Sequence, residues 1–118
     1  MADGVFNISK GRVAEFHERV NNNDPTNSAL IVVLLASTGL EADATLKDYD
    51  TLSAILAAAN DEATNTGYAR KTLTDTDIGA ITTNDTSDRN EADIADQTWT
   101  SVSNDGTGAI GKLLICYD

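Results

Sequence analysis

This sequence has little of what commonly builds a cross-link or a reactive site. Cys116 is the only cysteine in 118 residues, so the chain can form neither an internal disulfide nor a cysteine-based zinc site. Aromatic residues make up 5% of the chain, and His17 is the only histidine. A chain of this length forms one domain with a modest core, so assembly with other copies would add stability.

Positive charge is also scarce. Eight Lys and Arg residues stand against nineteen Asp and Glu residues, and the formal net charge is -11. Nucleic acids and anionic membranes both attract clustered cations, so we expect neither as a partner. The longest apolar run, residues 29–36, is too short to span a bilayer, and the N-terminus lacks the apolar core of a signal peptide. We therefore expect synthesis in the cytoplasm without export by the usual secretory route.

Two short helices are predicted from apolar stripes at helical spacing. The first covers residues 10–20, with Ser9 as its N-cap. The second covers residues 51–60, with Asp50 as its N-cap. Residues 38–47 are rich in Gly, Ala and acids, which indicates a loop.

The other patterns predict an antiparallel sheet. The stretch SALIVVLLAS, residues 28–37, is apolar on both faces and predicts a central strand that is covered on two sides. An Asp-Gly turn within residues 103–108 predicts a hairpin that pairs the last strand, residues 109–117, with the segment before the turn. Shorter strands are predicted at residues 67–74, 78–83, 91–95 and 98–103. The expected fold is α+β, a small antiparallel β-sandwich or barrel with two short helices.

The domain organisation follows from these elements. Residues 9–118 are predicted to form a single β-rich domain, and residues 1–8 an N-terminal arm. Val5 and Phe6 make this arm too apolar for a free tail, so we expect it to bind a neighbouring subunit or another protein. The predicted core consists of Leu30, Val32, Leu34, Ile55, Leu56, Trp99, Leu113 and Ile115.

No pattern of catalytic or ligand-binding residues stands out. His17 lies on the stripe of the first helix, which is typical of a core or interface histidine, and no nucleophile accompanies it. The acids of residues 75–96 could offer oxygen ligands to calcium or magnesium, but they lack the spacing of an EF-hand loop. A solvated acidic surface is the expected state, although a weak structural cation stays open. The sequence predicts no enzyme and no cofactor.

The stretch DEATNTGYARKTLTDTD, residues 61–77, contains the clearest candidate surface. Tyr68 and Arg70 lie on one face of a predicted strand, and Lys71 lies on the other, so the two cations cannot form one clamp. Such a strand is functional only if another molecule docks on it. The candidate interaction residues are Val5, Phe6, Tyr68, Arg70, Lys71 and Arg89.

Four blocks of the chain resemble a family of small structural proteins of tailed bacteriophages. They are GRVAEFHERVNNNDPTNSALIVVLL, DEATNTGYARKTLTD, DRNEADIADQTWTSV and GAIGKLLICYD, and the resemblance covers nearly the whole chain. The GYARKTLT block, residues 67–74, is also similar to a block of tail-fibre-like phage proteins. The resemblance carries no catalytic motif, and it implies a role in the virion.

Three functions are compatible with that resemblance and with the composition. The first is a head decoration (cement) protein that bridges major capsid subunits, as a homo-oligomer for which a trimer is the best single expectation. The second is a minor tail, neck or tail-fibre-associated protein. The third is a small host-glycan-binding β module, although such modules favour exposed aromatic residues. The expected location is the virion, after synthesis in the host cytoplasm, and the expected partner is the major capsid protein or another virion protein.

Overall fold

The computed structural model describes residues 4–118 and confirms the α+β class. Its helices are α1 (Val13–Asn21), α2 (Asp43–Leu46) and α3 (Leu52–Ala57), with a 3-10 turn at Asn7–Ser9. Its strands are β1 (Leu30–Ala36), β2 (Lys71–Leu73), β3 (Thr82–Asn84), β4 (Arg89–Glu91) and β5 (Ile110–Tyr117). An open antiparallel sheet has the order β2-β1-β5, and β3 and β4 form a separate two-stranded ribbon. Residues 4–118 contain no closed barrel.

The central strand is β1, as its continuous apolarity predicts. On one face of the sheet, Leu30 and Val32 pack in a cluster with Val20 of α1, Leu73 of β2 and Ile78. Partly buried aromatic residues complete that cluster. This side of the sheet is called the α1 face below. Every second side chain of β1 points to this face, because the side chains of a strand alternate between the two faces of the sheet.

The opposite side of the sheet, called the α3 face, holds the second half of the core. Val33 and Leu35 of β1 pack there with Leu46 of α2, Ile55 of α3 and Leu114 of β5. The two clusters share no member, so β1 separates two layers of core. A chain this small therefore covers its central strand with helices on both faces.

The last strand pairs with β1 rather than across the Asp-Gly turn. The pairing is antiparallel, with Leu30 opposite Tyr117 and Leu34 opposite Leu113. No strand forms at residues 98–103, so the predicted hairpin is wrong. The turn itself exists, but Asn65 holds it: the side-chain amide of Asn65 donates to the carbonyls of residues 103, 105 and 108 at 2.9, 2.8 and 2.9 Å.

The ends of the helices differ from the expected caps. No side chain caps α1, which begins at Val13, and Ser9 belongs instead to the 3-10 turn. The N-cap of α3 is Thr51, whose Oγ1 accepts the Ala54 N–H at 3.1 Å, rather than Asp50. Helix α2 lies within the segment that was expected to be a loop. Its four residues are too few for a periodic pattern.

The beginning of the described chain rests on this domain. Met1–Asp3 of the predicted arm lie outside the described residues. Phe6 is partly buried and packs against the cluster of the α3 face, and the Asn7 N–H donates to the Lys47 carbonyl at 2.8 Å. Val5 is 42% exposed. Residues 4–9 therefore contact their own chain, and what the arm binds stays a prediction.

Two members of the predicted core are wrong, and both lie in β5. Leu113 and Ile115 are each 48% exposed. Both point to the α1 face, because residues paired across an antiparallel ladder share a face and their partners are Leu34 and Val32. The aromatic ring of Phe16 in α1 stacks on Tyr117, at the C-terminal end of β5. The helix thus covers one end of the strand and leaves these two residues partly in solvent.

We expect Leu35→Ala and Leu113→Ala to differ sharply in stability. Leu35 has no exposed surface, so its truncation leaves a cavity and should lower the free energy of unfolding by roughly 2–5 kcal/mol. Leu113→Ala is the matched control in the neighbouring strand and should cost no more than about 1 kcal/mol. Urea unfolding at low protein concentration measures both. Similar losses for the two variants would contradict the burial described here.

Candidate functional site

Glu62 connects two of the predicted interaction residues. Its Oε1 accepts hydrogen bonds from the Tyr68 hydroxyl at 2.9 Å and from Arg70 Nε at 2.8 Å, and its Oε2 accepts one from Arg70 Nη2 at 2.6 Å. The Tyr68 hydroxyl in turn accepts the Leu34 N–H at 3.0 Å. The hydrogen bond from Arg70 is the largest cause that holds the pKa of Glu62 below its ordinary value. The guanidinium of Arg70 is therefore held by its own chain.

Glu62 was not among the predicted residues, although it lies in the quoted stretch. It reaches Arg70 because the chain around it returns to β1: the Ala63 N–H donates to the Leu34 carbonyl at 2.9 Å, and Glu62 forms a bridge with Leu35. No periodic pattern marks such a return, since it involves isolated backbone contacts.

The remaining predicted cations lie apart from this cluster. The Lys71 ammonium lies 5.2 Å from the ring centroid of Trp99, and the Trp99 Nε1–H donates to the Ala69 carbonyl at 2.7 Å. Arg89 pairs with Glu91 on the β3–β4 ribbon at 2.7 Å. The structure thus brings Tyr68 and Arg70 together but gathers the six predicted residues into no single surface.

The polar groups with catalytic potential are engaged within the fold. His17 is 5% exposed, and its Nε2 lies 2.6 Å from the Gly79 carbonyl. A carbonyl only accepts, so this nitrogen carries a proton and donates it.

Across residues 4–118, no three His, Cys, Asp or Glu side chains come close enough together to hold a metal ion. No helix in that part of the chain is long and apolar enough to cross a membrane.

An open cleft lies beside β5, with a volume of about 1000 Å³. Six large apolar side chains are exposed in the described part of the chain, and five of them line this cleft. Those five are Val5, Ile8, Val13, Leu113 and Ile115. The cleft thus brings together exposed apolar side chains of the N-terminal segment, α1 and β5.

The backbone at the outer edge of β5 is also free. Ala29 and Asp118 exchange two hydrogen bonds, at 3.1 and 2.9 Å. Because hydrogen-bonding direction alternates along an antiparallel strand, Leu114 directs its N–H and C=O toward β1, whereas Leu113 and Ile115 direct theirs outward. Within residues 4–118, no partner strand lies on that side of β5. The cleft thus combines apolar side chains with unpaired backbone groups.

The sequence predicted only some of the residues that line this cleft as interaction residues. Val5 was predicted as an interaction residue, but Leu113 and Ile115 were assigned to the core. An apolar strand is typical of burial on both faces, and β5 is apolar apart from Gly111 and Lys112. The difference arises because β5 is an edge strand, which depends on strand order and not on composition.

Nothing among protein-family models, curated proteins or solved structures matches this chain. The resemblance to small phage proteins therefore stands on the sequence blocks quoted above, and its consequences for function are proposals.

We expect the Arg70–Glu62 pair to stabilise the fold modestly and in a pH-dependent way. The Arg70 side chain is 45% exposed, so solvent screens the pair, and Arg70→Gln should lower the free energy of unfolding at pH 7 by about 0.2–1 kcal/mol. The folded-state pKa of Glu62 lies below its ordinary value of 4.5. The stabilisation is therefore present above that pH and is lost as pH falls through the folded-state pKa. Urea unfolding of wild type and variant between neutral and acidic pH measures it.

The matched control is Arg89→Gln. Arg89 makes a similar pair with Glu91, but its side chain is 65% exposed and the pair lies on the two-stranded ribbon. We expect little change in stability at any pH. If the wild type and Arg70→Gln differed more in acid than at neutral pH, the role assigned to Glu62 would be wrong.

Proposed function

We propose that this protein is a structural subunit of a tailed-phage virion, and specifically a head decoration protein that bridges neighbouring major capsid subunits. The observation that carries the proposal is the cleft beside β5, where exposed apolar side chains and free backbone groups form a surface suited to association. The virion role is implied by the sequence blocks that resemble phage structural proteins. The isolated chain, on this proposal, is one component of a larger assembly.

The area of exposed surface supports a protein that works in an assembly. The chain exposes 7199 Å², whereas a compact monomer of 12.5 kDa exposes roughly 6200 Å². Its radius of gyration is 15.3 Å, against roughly 13.5 Å for a compact domain of this length. The chain therefore exposes about 1000 Å² more surface than a compact monomer of its mass.

The acidic surface favours a basic or cation-coated partner. A net charge of -11 opposes contact between copies unless the contact is apolar or pairs the few cations with acids. Exposed charges are screened over about 8–10 Å at physiological salt, so an apolar contact can prevail. We propose a homo-oligomer docked on the capsid lattice, and the trimer implied by the resemblance stays a prediction.

Structural rather than catalytic work is part of the proposal. His17 uses Nε2 to hold the Gly79 carbonyl. Cys116 is a free, partly buried cysteine, and burial raises the pKa of its thiol, which keeps it protonated and weakly nucleophilic. These observations favour a non-enzyme.

The aromatic residues argue against the host-glycan-binding alternative. All six aromatic side chains lie in the described part of the chain, and each is partly buried. Trp99, the best candidate for stacking on a sugar ring, contacts Lys71 and the Ala69 carbonyl. The alternative that stays closest to the proposal is a minor tail, neck or tail-fibre-associated protein, which would use the same association surface.

Position and copy number in the particle test the proposal. We expect quantitative mass spectrometry of purified virions to find the protein in many copies per particle, and a cryo-electron microscopy map to place it at repeated positions on the head. The major capsid protein provides the internal reference. A few copies at the neck or tail would favour the second function, and absence from purified particles would overturn the virion role.

A further inference from the structure

The free edge of β5 restricts how another strand can pair with it. In an antiparallel pair, residues with outward backbone groups lie opposite one another. A twofold axis at Leu114 places Leu113 opposite Ile115 of the partner subunit. This register aligns residues 112–116 of the two strands, beyond the bulge at Gly111, and satisfies the outward backbone groups of Leu113 and Ile115 in both copies.

The same register joins the exposed apolar side chains. Leu113 and Ile115 point to the α1 face, and opposite residues of an antiparallel pair share a face. The two side chains of one copy would therefore lie beside those of the other, and each is 48% exposed without a partner. Pairing would bury the apolar edge of β5, and an exposed apolar edge favours aggregation.

Charge around the cleft permits the approach of a second acidic chain. The charged residues that line it are Arg12, Lys47, Lys112, Asp43 and Asp50. Arg12 pairs with Glu15, 2.9 Å away, and Lys112 pairs with Asp43. The cleft is thus nearly neutral in a chain with nineteen acids and eight cations. Two copies repel each other least where these surfaces meet.

We infer that two copies of this chain associate through antiparallel pairing of their β5 edges, which forms a continuous six-stranded sheet with the order β2-β1-β5-β5-β1-β2. Pairing of identical edges about a twofold axis closes at two copies. It differs from the trimer that the resemblance implies. The inference does not depend on the virion role, because it concerns the isolated protein.

A disulfide cross-link between two different variants tests the register. Leu113→Cys and Ile115→Cys are made separately, each with Cys116→Ala to remove the native thiol. The paired Cα atoms would lie about 5.5 Å apart, within the range that a disulfide spans. After the two proteins are mixed under reducing conditions and then oxidised, we expect a covalent dimer on a non-reducing gel. Either variant oxidised alone should give little, since each cysteine then faces a Leu or an Ile.

A charged substitution at the edge tests the surface without cysteine chemistry. Ile115→Lys should shift the protein from the mass of two chains to the mass of one, measured by light scattering after size exclusion over a range of concentrations. Ile110→Lys is the matched control: Ile110 is an exposed isoleucine of the same strand, but it does not line the cleft. That variant should keep the mass of two chains. Circular dichroism checks that both variants are folded.

Several results would overturn the inference. These are a wild-type mass of one or three chains at every concentration, a cross-link that forms equally well in either cysteine variant alone, and no cross-link in the mixture. A dimer that survives Ile115→Lys would also exclude the β5 edge, and loss of the dimer in both lysine variants would exclude a register centred on Leu114. A dimer that forms as described from a protein absent from virions would support this inference and reject the proposed function, so the two can fail separately.

Discussion

A strand with apolar side chains on both faces must be covered on both faces, and β1 imposes that constraint on the rest of the chain. Six of its seven residues are buried. Helix α1 lies on one side of the sheet and α3 on the other, and the loops that join them are held by polar side chains. For example, the Asn60 amide donates to Glu41 at 2.6 Å, and the Tyr49 hydroxyl donates to the same carboxylate at 2.9 Å.

Because the helices cover both faces of β1, few residues remain to cover β5. Helix α1 has nine residues, and its contact with β5 is at the Tyr117 end of that strand. Leu113 and Ile115 therefore stay partly exposed, on a strand whose outer backbone groups have no partner among residues 4–118. The surface that suggests association is thus a direct consequence of how a short chain protects its central strand.

The acidic surface and the apolar cleft have complementary roles in the proposed function. Excess acid keeps separate copies apart over most of the surface, and the nearly neutral cleft is where that repulsion is weakest. Arg70 and Arg89, which the sequence offered as binding residues, are instead paired with Glu62 and Glu91 of their own chain. Specific association in this protein is therefore expected at apolar edges rather than at cationic patches.

Composition and periodicity were sufficient to predict the α+β class, the central strand, the last strand and the approximate positions of α1 and α3, because burial of a strand or of one helix face leaves a local pattern. Helix α2 was missed, since four residues carry no period, and residues 98–103 were wrongly predicted as a strand. Which partner each strand takes is decided by contacts between distant residues, such as Leu30 with Tyr117. That tertiary choice put β5 at the edge of the sheet. An apolar sequence specifies that a strand avoids water, but only the strand order decides whether its own chain or another molecule provides the cover.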